Sequence, residues 1–265
     1  MAEHRRRTFL RGAAALAFAA PGGAAHARMP GLRVDPRDGP EEVLEVDLPQ
    51  LEYPGRWNPR PGAMRELALE ARLRTRLEPL REPTTVKAEA DALFNTPFLY
   101  IAGEGALPPL GDAAEARLAR FLDLGGMLVF DAADGGTDRG FERDATALLG
   151  RIAPGAAIAP VSPEHVLYRS FYLVDAPVGR TATAERALGI EDEGRLKALL
   201  LRDDLGGALV RGADRLPTYP CVPGGPQQRE EALRFAVNIL LYATCTDYKS
   251  DRAHVETLLF NRRWR

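Results

Sequence analysis

The chain has few of the side chains on which nucleophilic and transition-metal chemistry depend. Its 265 residues include 2 cysteines and 4 histidines, and its serines are Ser162, Ser170 and Ser250. No serine lies in the G-x-S-x-G turn of α/β hydrolases, and no pair of histidines has the spacing of a local zinc motif. We therefore predict neither a metal site nor a cofactor, and no ready-made nucleophile is present.

A long hydrophobic run is also lacking, which decides how the amino-terminal residues are interpreted. Arg6 and Arg7 precede an apolar stretch over residues 12–20, and the small residues Ala25-His26-Ala27 follow it. A membrane-spanning helix needs roughly 20 apolar residues, so this stretch is typical of a signal peptide. We predict that residues 1–27 are a twin-arginine signal peptide and that the mature protein is periplasmic or otherwise extracytoplasmic, without spanning a membrane.

An excess of positive charge is absent as well. The whole chain has 35 Lys and Arg residues against 37 Asp and Glu residues. Cleavage after Ala27 removes four arginines and one glutamate, which leaves a net charge of −5. This charge argues against a nucleic-acid partner, because phosphates require a basic surface. The mature length predicts one α/β domain at 42–246, preceded by an extended leader at 28–41 and followed by a polar tail at 247–265.

The apolar pattern of the domain predicts alternating strands and helices. Residues 97–103 and 127–130 are apolar runs of strand length, and an amphipathic helix starting at Asp112 separates them. This unit predicts a parallel crossover in a mostly parallel sheet with helices on both faces, and a later hairpin predicts an antiparallel edge. The other predicted strands are 43–53, 85–87, 166–174, 187–190 and 196–201, and the other predicted helices are 62–78, 139–149 and 227–243.

Two loops follow strands at the edge where open α/β sheets bind ligands. The first, Gly103-Glu104-Gly105, begins like a dinucleotide fingerprint but lacks the third glycine, so we do not expect a nucleotide. The second loop starts at Asp131 and is rich in charged residues. It forms either a solvated turn with local ion pairs or an acidic site that shares a proton or holds a hard cation. Its other candidate residues are Asp134, Asp138 and Arg139.

One histidine and the two cysteines leave alternatives open. His165 either acts as a base at a pocket rim or caps a turn. Cys221 and Cys245 either form a disulfide or remain free thiols. The ends of the predicted last helix are roughly 25 Å apart, so the bond requires the preceding loop to run back along the helix.

Several short stretches occur in the order of a known bacterial family. They are Trp57-Asn58, 98–105, 118–131, 141–143, 165–172, 188–190, Asp203-Asp204-Leu205-Gly206 and 237–243. Through them, residues 43–250 resemble the domain of unknown function family numbered 4159. The resemblance implies a flavodoxin-like fold, as in class I glutamine amidotransferases, which carry a cysteine on a sharp turn after a strand. It also implies envelope systems that include a von Willebrand factor type A protein and a chaperone-like ATPase.

The chain departs from the amidotransferase pattern, and this sets the functional hypotheses. The strand at 127–130 leads into Asp131 without a cysteine, and Glu104 stands where many relatives have histidine. The leading hypothesis is an exported non-catalytic domain that binds an envelope partner or a small ligand in a cleft. The predicted cleft residues are Trp57, Asn58, Gly103, Gly105, Asp134, Asp138 and Arg139.

Two alternatives to this hypothesis remain open. The first is a hydrolase that uses Asp131 and Glu104 as acid and base, with His165 as a further candidate and with or without a divalent cation. The second is a structural or assembly protein that docks on its partner through the basic residues 262–265.

Overall fold

A computed structural model describes the backbone of residues 46–262 and the side chains of residues 46–244. The strands are β1 (Gln50–Leu51), β2 (Thr85–Val86), β3 (Phe98–Gly103), β4 (Met127–Ala132), β5 (Ile158–Pro160), β6 (Leu188–Asp192) and β7 (Arg195–Leu201). The helices are α1 (Ala63–Arg74), α2 (Asp112–Asp123), α3 (Gly140–Ile152), α4 (Leu205–Leu209) and α5 (Gly225–Arg262), with short 3₁₀ helices at Asp91–Phe94 and Val166–Arg169.

One seven-stranded sheet organises this part of the chain, in the order β2-β1-β3-β4-β7-β6-β5. In this order, β2, β1, β3, β4 and β7 are paired in parallel. The β7-β6 and β6-β5 pairs are antiparallel. The predicted fold class is therefore confirmed: a mostly parallel sheet with an antiparallel edge and helices, consistent with a flavodoxin-like arrangement.

Two apolar clusters, one on each face of the sheet, form the core. Every residue of β3 and β4 is buried, which explains their continuous apolar sequence. Because side chains alternate along a strand, Tyr100 joins the cluster that contains α1, α4 and α5, while Ile101 joins the cluster that contains α2 and α3. The carboxyl edge of the sheet therefore lies between two packed layers of helices.

The predicted strand at 166–174 is wrong. Val166–Arg169 is a 3₁₀ helix, and the amide side chain of Asn238 in α5 binds the backbone that follows it. Asn238 Oδ1 accepts from the N–H of Tyr172 at 2.8 Å, and its Nδ2 donates to the carbonyl of Tyr172 at 2.8 Å. These two bonds occupy the groups that a strand would offer to a neighbour.

The last helix is longer than predicted. It extends from Gly225 to Arg262, through most of the predicted polar tail, because residues 244–262 contain neither proline nor glycine to end it. Within residues 46–262, no helix is both long and apolar enough to cross a membrane. The predicted signal peptide, the leader and residues 263–265 lie outside the described residues.

Candidate functional site

The chain leaves the carboxyl ends of β1 and β3 toward opposite faces of the sheet. These strands are neighbours. The chain after β1 leads to α1, which packs in the cluster of α4 and α5, while the chain after β3 leads to α2 in the other cluster. Loops that diverge in this way leave a cleft in which ligands of open α/β sheets bind. Trp57 of the predicted cleft lies in the loop after β1, and Gly103 is the last residue of β3.

Two glycines of the predicted cleft lie where β3 and its loop approach α3. A Cβ atom on Gly103 would lie 2.2 Å from a ring carbon of Phe141 and 2.5 Å from the hydroxyl oxygen of Tyr53. The first residue of α3, Gly140, approaches the carbonyl of Gly105 so closely that a Cβ on Gly140 would lie 2.1 Å from that oxygen. Gly103 and Gly140 therefore let β3 and its loop pack against α3, whereas Gly105 has a left-handed backbone, at φ 84°.

The sharp turn after β7 holds a residue that the sequence analysis did not single out. Asp204 lies in the left-handed region, at φ 52° and ψ 63°, and caps α4 by accepting a hydrogen bond from Gly207 N at 3.0 Å. A Cβ on Gly207 would lie 2.4 Å from Asp204 Oδ2, so the carboxylate requires glycine there. A strand, a strained turn and a helix form the geometry that presents nucleophiles in α/β enzymes. The family resemblance implied a turn of this kind after β4, at Asp131, and the turn after β7 is a second one, which carries Asp204.

Two arginines from distant loops neutralise Asp204, which is fully buried. Arg60 binds it bidentately, with Nε 2.9 Å from Oδ1 and Nη2 2.7 Å from Oδ2. Arg180 Nε also donates to Oδ2. Arg60 further donates to the carbonyl of Ala133 at 2.6 Å and lies over the ring of Tyr219, 4.5 Å from its centroid. The loop after β1 is thus tied to the ends of β4 and β7.

Asp131, the candidate acid or base, is fully buried at the end of β4. Its oxygens accept hydrogen bonds from Leu205 N at 2.9 Å, from Gly206 N at 2.7 Å and from the Tyr100 hydroxyl at 2.5 Å. Burial, and then the charge of Asp204, raises the pKa of Asp131 to about 6. Both oxygens are engaged inside the protein, so Asp131 holds the start of α4 against β4.

Trp57, Asn58 and Glu104 lie along the carboxyl edge in loops that the sheet positions. Gln50 Nε2, at the start of β1, donates to the carbonyl of Trp57 at 2.9 Å. The Glu104 carboxylate pairs with Arg56 at 3.0 Å, and its side chain is 35 % exposed. Asn58 Oδ1 is buried and has no hydrogen-bond partner among the described side chains and backbone. The loops after β1 and β3 therefore meet at the ion pair between Arg56 and Glu104. The loop after β1 also contains the unsatisfied acceptor Asn58 Oδ1.

The charged loop after β4 joins this edge through local hydrogen bonds. Asp134 Oδ1 accepts from Gly136 N at 2.8 Å, and Asp138 Oδ1 accepts from Gly140 N at 2.9 Å. Burial raises the pKa of Asp134, the bond from Gly136 opposes this shift, and the charges of Asp138, Asp204 and Glu104 raise the pKa further. The structure thus brings these four carboxylates into one region.

Two details of the same loop bear on the predicted acidic site. Arg139 pairs with Glu185, 46 residues away in sequence, so its charge is engaged within the protein. Asp134 Oδ2, however, is buried without a partner among residues 46–244. No group of three or more His, Cys, Asp or Glu side chains in that range is arranged to hold a metal ion.

His165 lies at the opposite edge of the sheet. Its Nδ1 accepts from Leu167 N at 3.1 Å, and its ring lies 5.5 Å from that of Tyr242. The Tyr242 hydroxyl in turn accepts from Leu196 N at 2.8 Å, near the amino end of β7. His165 is therefore separated from Glu104 and the cleft, and the structure favours its turn-capping alternative.

The two cysteines are far apart, because Cys221 precedes the start of α5 and Cys245 lies well within the helix. Cys221 is buried and free, and its carbonyl accepts from Gly225 N at 3.1 Å where α5 begins. Cys245 comes 20 residues after Gly225, which is about 30 Å along a helix axis, whereas a disulfide needs Cα atoms within about 7 Å. The structure favours the free-thiol alternative, although the side chain of Cys245 is outside the described residues.

A half-open cavity of about 290 Å³ flanks the cleft. It lies at the carboxyl ends of β1 and β2, beside the start of α2. Its lining residues include Tyr53, Pro54, Lys87, Leu110 and Ala114, and none of the predicted cleft residues.

Comparison with known protein families gives a match over most of the described chain. Residues 47–244 match the family described as Domain of unknown function (DUF4159). The chain belongs to this family. The match includes all seven strands and the turn that carries Asp204, so the arginine-bound turn lies within the family domain. The search of curated proteins found no match to the chain.

Proposed function

We propose that the protein is an exported, non-catalytic domain that binds a segment of a cell-envelope partner at its carboxyl edge. The observation that carries this proposal is the turn after β7. Asp204 lies on a left-handed turn between a strand and a helix, as nucleophiles of α/β enzymes do, yet it is buried and bound by Arg60 and Arg180. A carboxylate held in this way supports the fold and does not attack a substrate.

The same arginine cluster supports a preformed binding surface. Arg60 fixes the loop after β1 to both Asp204 and the carbonyl of Ala133, so the loop that carries Trp57 and Asn58 is held over the strand ends. A loop fixed before binding loses little conformational entropy when a partner arrives. This favours recognition by the loop that carries Trp57 and Asn58.

Cavity size and hydrogen-bonding groups favour a partner segment over an enclosed small molecule. The flanking cavity of about 290 Å³ is at the lower limit of drug-sized pockets, roughly 300 to 1,000 Å³. Asn58 Oδ1 and Asp134 Oδ2 are acceptors without partners in the described structure. Both atoms are buried, so they mark hydrogen-bonding capacity at this edge that the described residues leave unused, and buried acceptors are costly when left unpaired.

The binding proposal is tested by position-specific photo-crosslinking in the native cell envelope. We expect a photo-reactive residue at position 104 to give a discrete adduct, while the same residue at the exposed position 123, at the end of α2, gives none. Substituting Asp134→Asn in the position-104 protein should weaken the adduct. Equal labelling from both positions would contradict the proposal.

The hydrolase alternative has less support from the geometry. Asp131 is buried with three donors on its oxygens, and Glu104 is paired with Arg56. A panel of glutamine, ester and glycoside substrates, together with thermal unfolding in Ca²⁺ or Mg²⁺, separates the two functions. Turnover that Asp131→Ala abolishes would replace the binding proposal with the hydrolase.

A further inference from the structure

A second cavity, of about 400 Å³, lies where α5 begins. Its walls combine apolar residues with two arginines and a thiol. The lining residues used here are Arg211, Cys221, Arg229, Pro226, Glu230 and Leu233. The volume falls within the range of small-molecule sites.

Arg229 is a buried cation without a counter-ion among the side chains that the structure describes. It is 6 % exposed and donates to the carbonyls of Ala208 and Tyr219. Within residues 46–244 it forms no ion pair, whereas Glu230 of the same cavity is already bound by Arg74 and Arg234. A buried charge that is not paired is costly, so an anion in the cavity would stabilise Arg229.

Arg211 adds a second positive charge, on a side chain that is only partly buried. Its only hydrogen bond within the described residues goes to the carbonyl of Arg215. Burial lowers the pKa of Arg229, Cys221 opposes this shift, and the charge of Arg211 lowers it further, so the two guanidinium groups interact. Burial raises the pKa of the Cys221 thiol, which therefore stays neutral and does not balance them.

The loop that leads into α5 is fixed by hydrogen bonds, and the amino end of α5 is positive. The first turn of α5 contains no acidic residue to balance the helix dipole. Gln228 fixes the loop before α5, since its Oε1 accepts from Gly224 N at 2.8 Å and its Nε2 donates to the carbonyls of Gly179 and Arg180. Arg229, which also donates to two carbonyls, and the loop before α5 are therefore held in place before a ligand binds.

We propose that this cavity binds a small organic anion, with its carboxylate or phosphate group between Arg211 and Arg229 and its apolar part against Pro226 and Leu233. Guanidinium groups match both kinds of headgroup. The inference does not rest on the proposed function, because the cavity lines the start of α5 and shares no residue with the predicted cleft.

The test uses the full-length protein with Cys245→Ser, in which Cys221 is the remaining cysteine. Hexanoate, hexyl phosphate and the neutral hexanamide are titrated by calorimetry. The rate at which methyl methanethiosulfonate modifies Cys221 is measured by mass spectrometry at saturation. We expect at least one of the two anions to bind and to slow the modification about fivefold or more, while hexanamide has no effect. The anion that protects identifies the preferred headgroup.

Arg211→Gln and Arg81→Gln provide the matched pair of variants. Arg211 lines the cavity, whereas Arg81 is exposed in the loop before β2. Arg211→Gln should weaken anion binding about tenfold or more, as expected for loss of a charge-assisted hydrogen bond, and Arg81→Gln should leave it unchanged. The inference is overturned if neither anion binds at about 10 mM, if hexanamide protects equally, or if the two variants behave alike.

Discussion

At the scale of single residues, Asp131 and Asp204 are two buried carboxylates of one cluster, and their partners differ. Asp204 receives two guanidinium groups, while Asp131 receives two backbone N–H groups and one hydroxyl. The positive charges therefore compensate Asp204 first, and Asp131 remains the carboxylate whose ionisation is opposed. This difference predicts how stability depends on pH.

The pKa of Asp131 is raised from its ordinary 3.8 to about 6. The folded chain thus keeps a proton that the unfolded chain releases between about pH 4 and 6, so the free energy of unfolding falls as pH rises through this window. Asp131→Asn cannot titrate and removes this contribution. In urea unfolding, we expect the stability of the wild type relative to Asp131→Asn to be greatest near pH 4 and to decrease toward pH 7.

A stability difference that stays constant across this pH range would show that Asp131 titrates normally in the folded chain. Asp123→Asn is the control, because this side chain is exposed at the end of α2. It should change the unfolding free energy by less than about 0.5 kcal/mol at every pH.

Single residues also mark the limit of what the sequence predicts about the site. Glu104, Asp131 and Asp134 could be predicted as site residues because they closely follow apolar strands. Asp204 also follows one, and the Gly206-Gly207 pair behind it was an available indication, but its importance depends on Arg60 and Arg180. These partners lie 144 and 24 residues away in sequence, and no local pattern connects them.

At the scale of elements, a strand or helix can be predicted from the sequence when the contacts that determine it lie close together in sequence. The β3-α2-β4 unit was predicted because apolar periodicity and Gly125, at φ 99°, define it within its own sequence. The 166–174 segment was predicted as a strand from composition alone. Its structure depends on Asn238, a residue of α5 at a sequence distance of 66 from Tyr172.

The short helix α4 illustrates an element whose glycines are required by its neighbours. A Cβ on Gly206 would lie 2.7 Å from the Tyr100 hydroxyl and 3.3 Å from Asp131 Oδ2. We expect Gly206→Ala to lower the unfolding free energy by about 1–3 kcal/mol through overpacking. Gly150→Ala in α3, where no atom lies within 4 Å of the new Cβ, should instead raise it by up to about 1 kcal/mol. Chemical denaturation of both variants distinguishes packing from helix propensity, and a gain in both would contradict the close contact.

At the scale of the whole molecule, the proposed export is a property of residues outside the described structure. We expect Arg6→Lys combined with Arg7→Lys to retain a fused reporter in the cytoplasm, because the twin-arginine pathway reads this pair. Arg5→Lys with Arg11→Lys makes the same number of substitutions outside the pair and should leave export intact. Cell fractionation measures both, and equal export of the two variants would contradict a twin-arginine signal.

The ion pair between Arg60 and Asp204 has a consequence for how the molecule assembles. Its partners are separated by 144 residues, so it closes a long chain segment and forms only when the turn after β7 and the loop after β1 are both in position. An intermediate that buries one partner early leaves a lone charge in an apolar interior. Incomplete forms of the domain are thereby penalised, and assembly is driven toward an all-or-none transition.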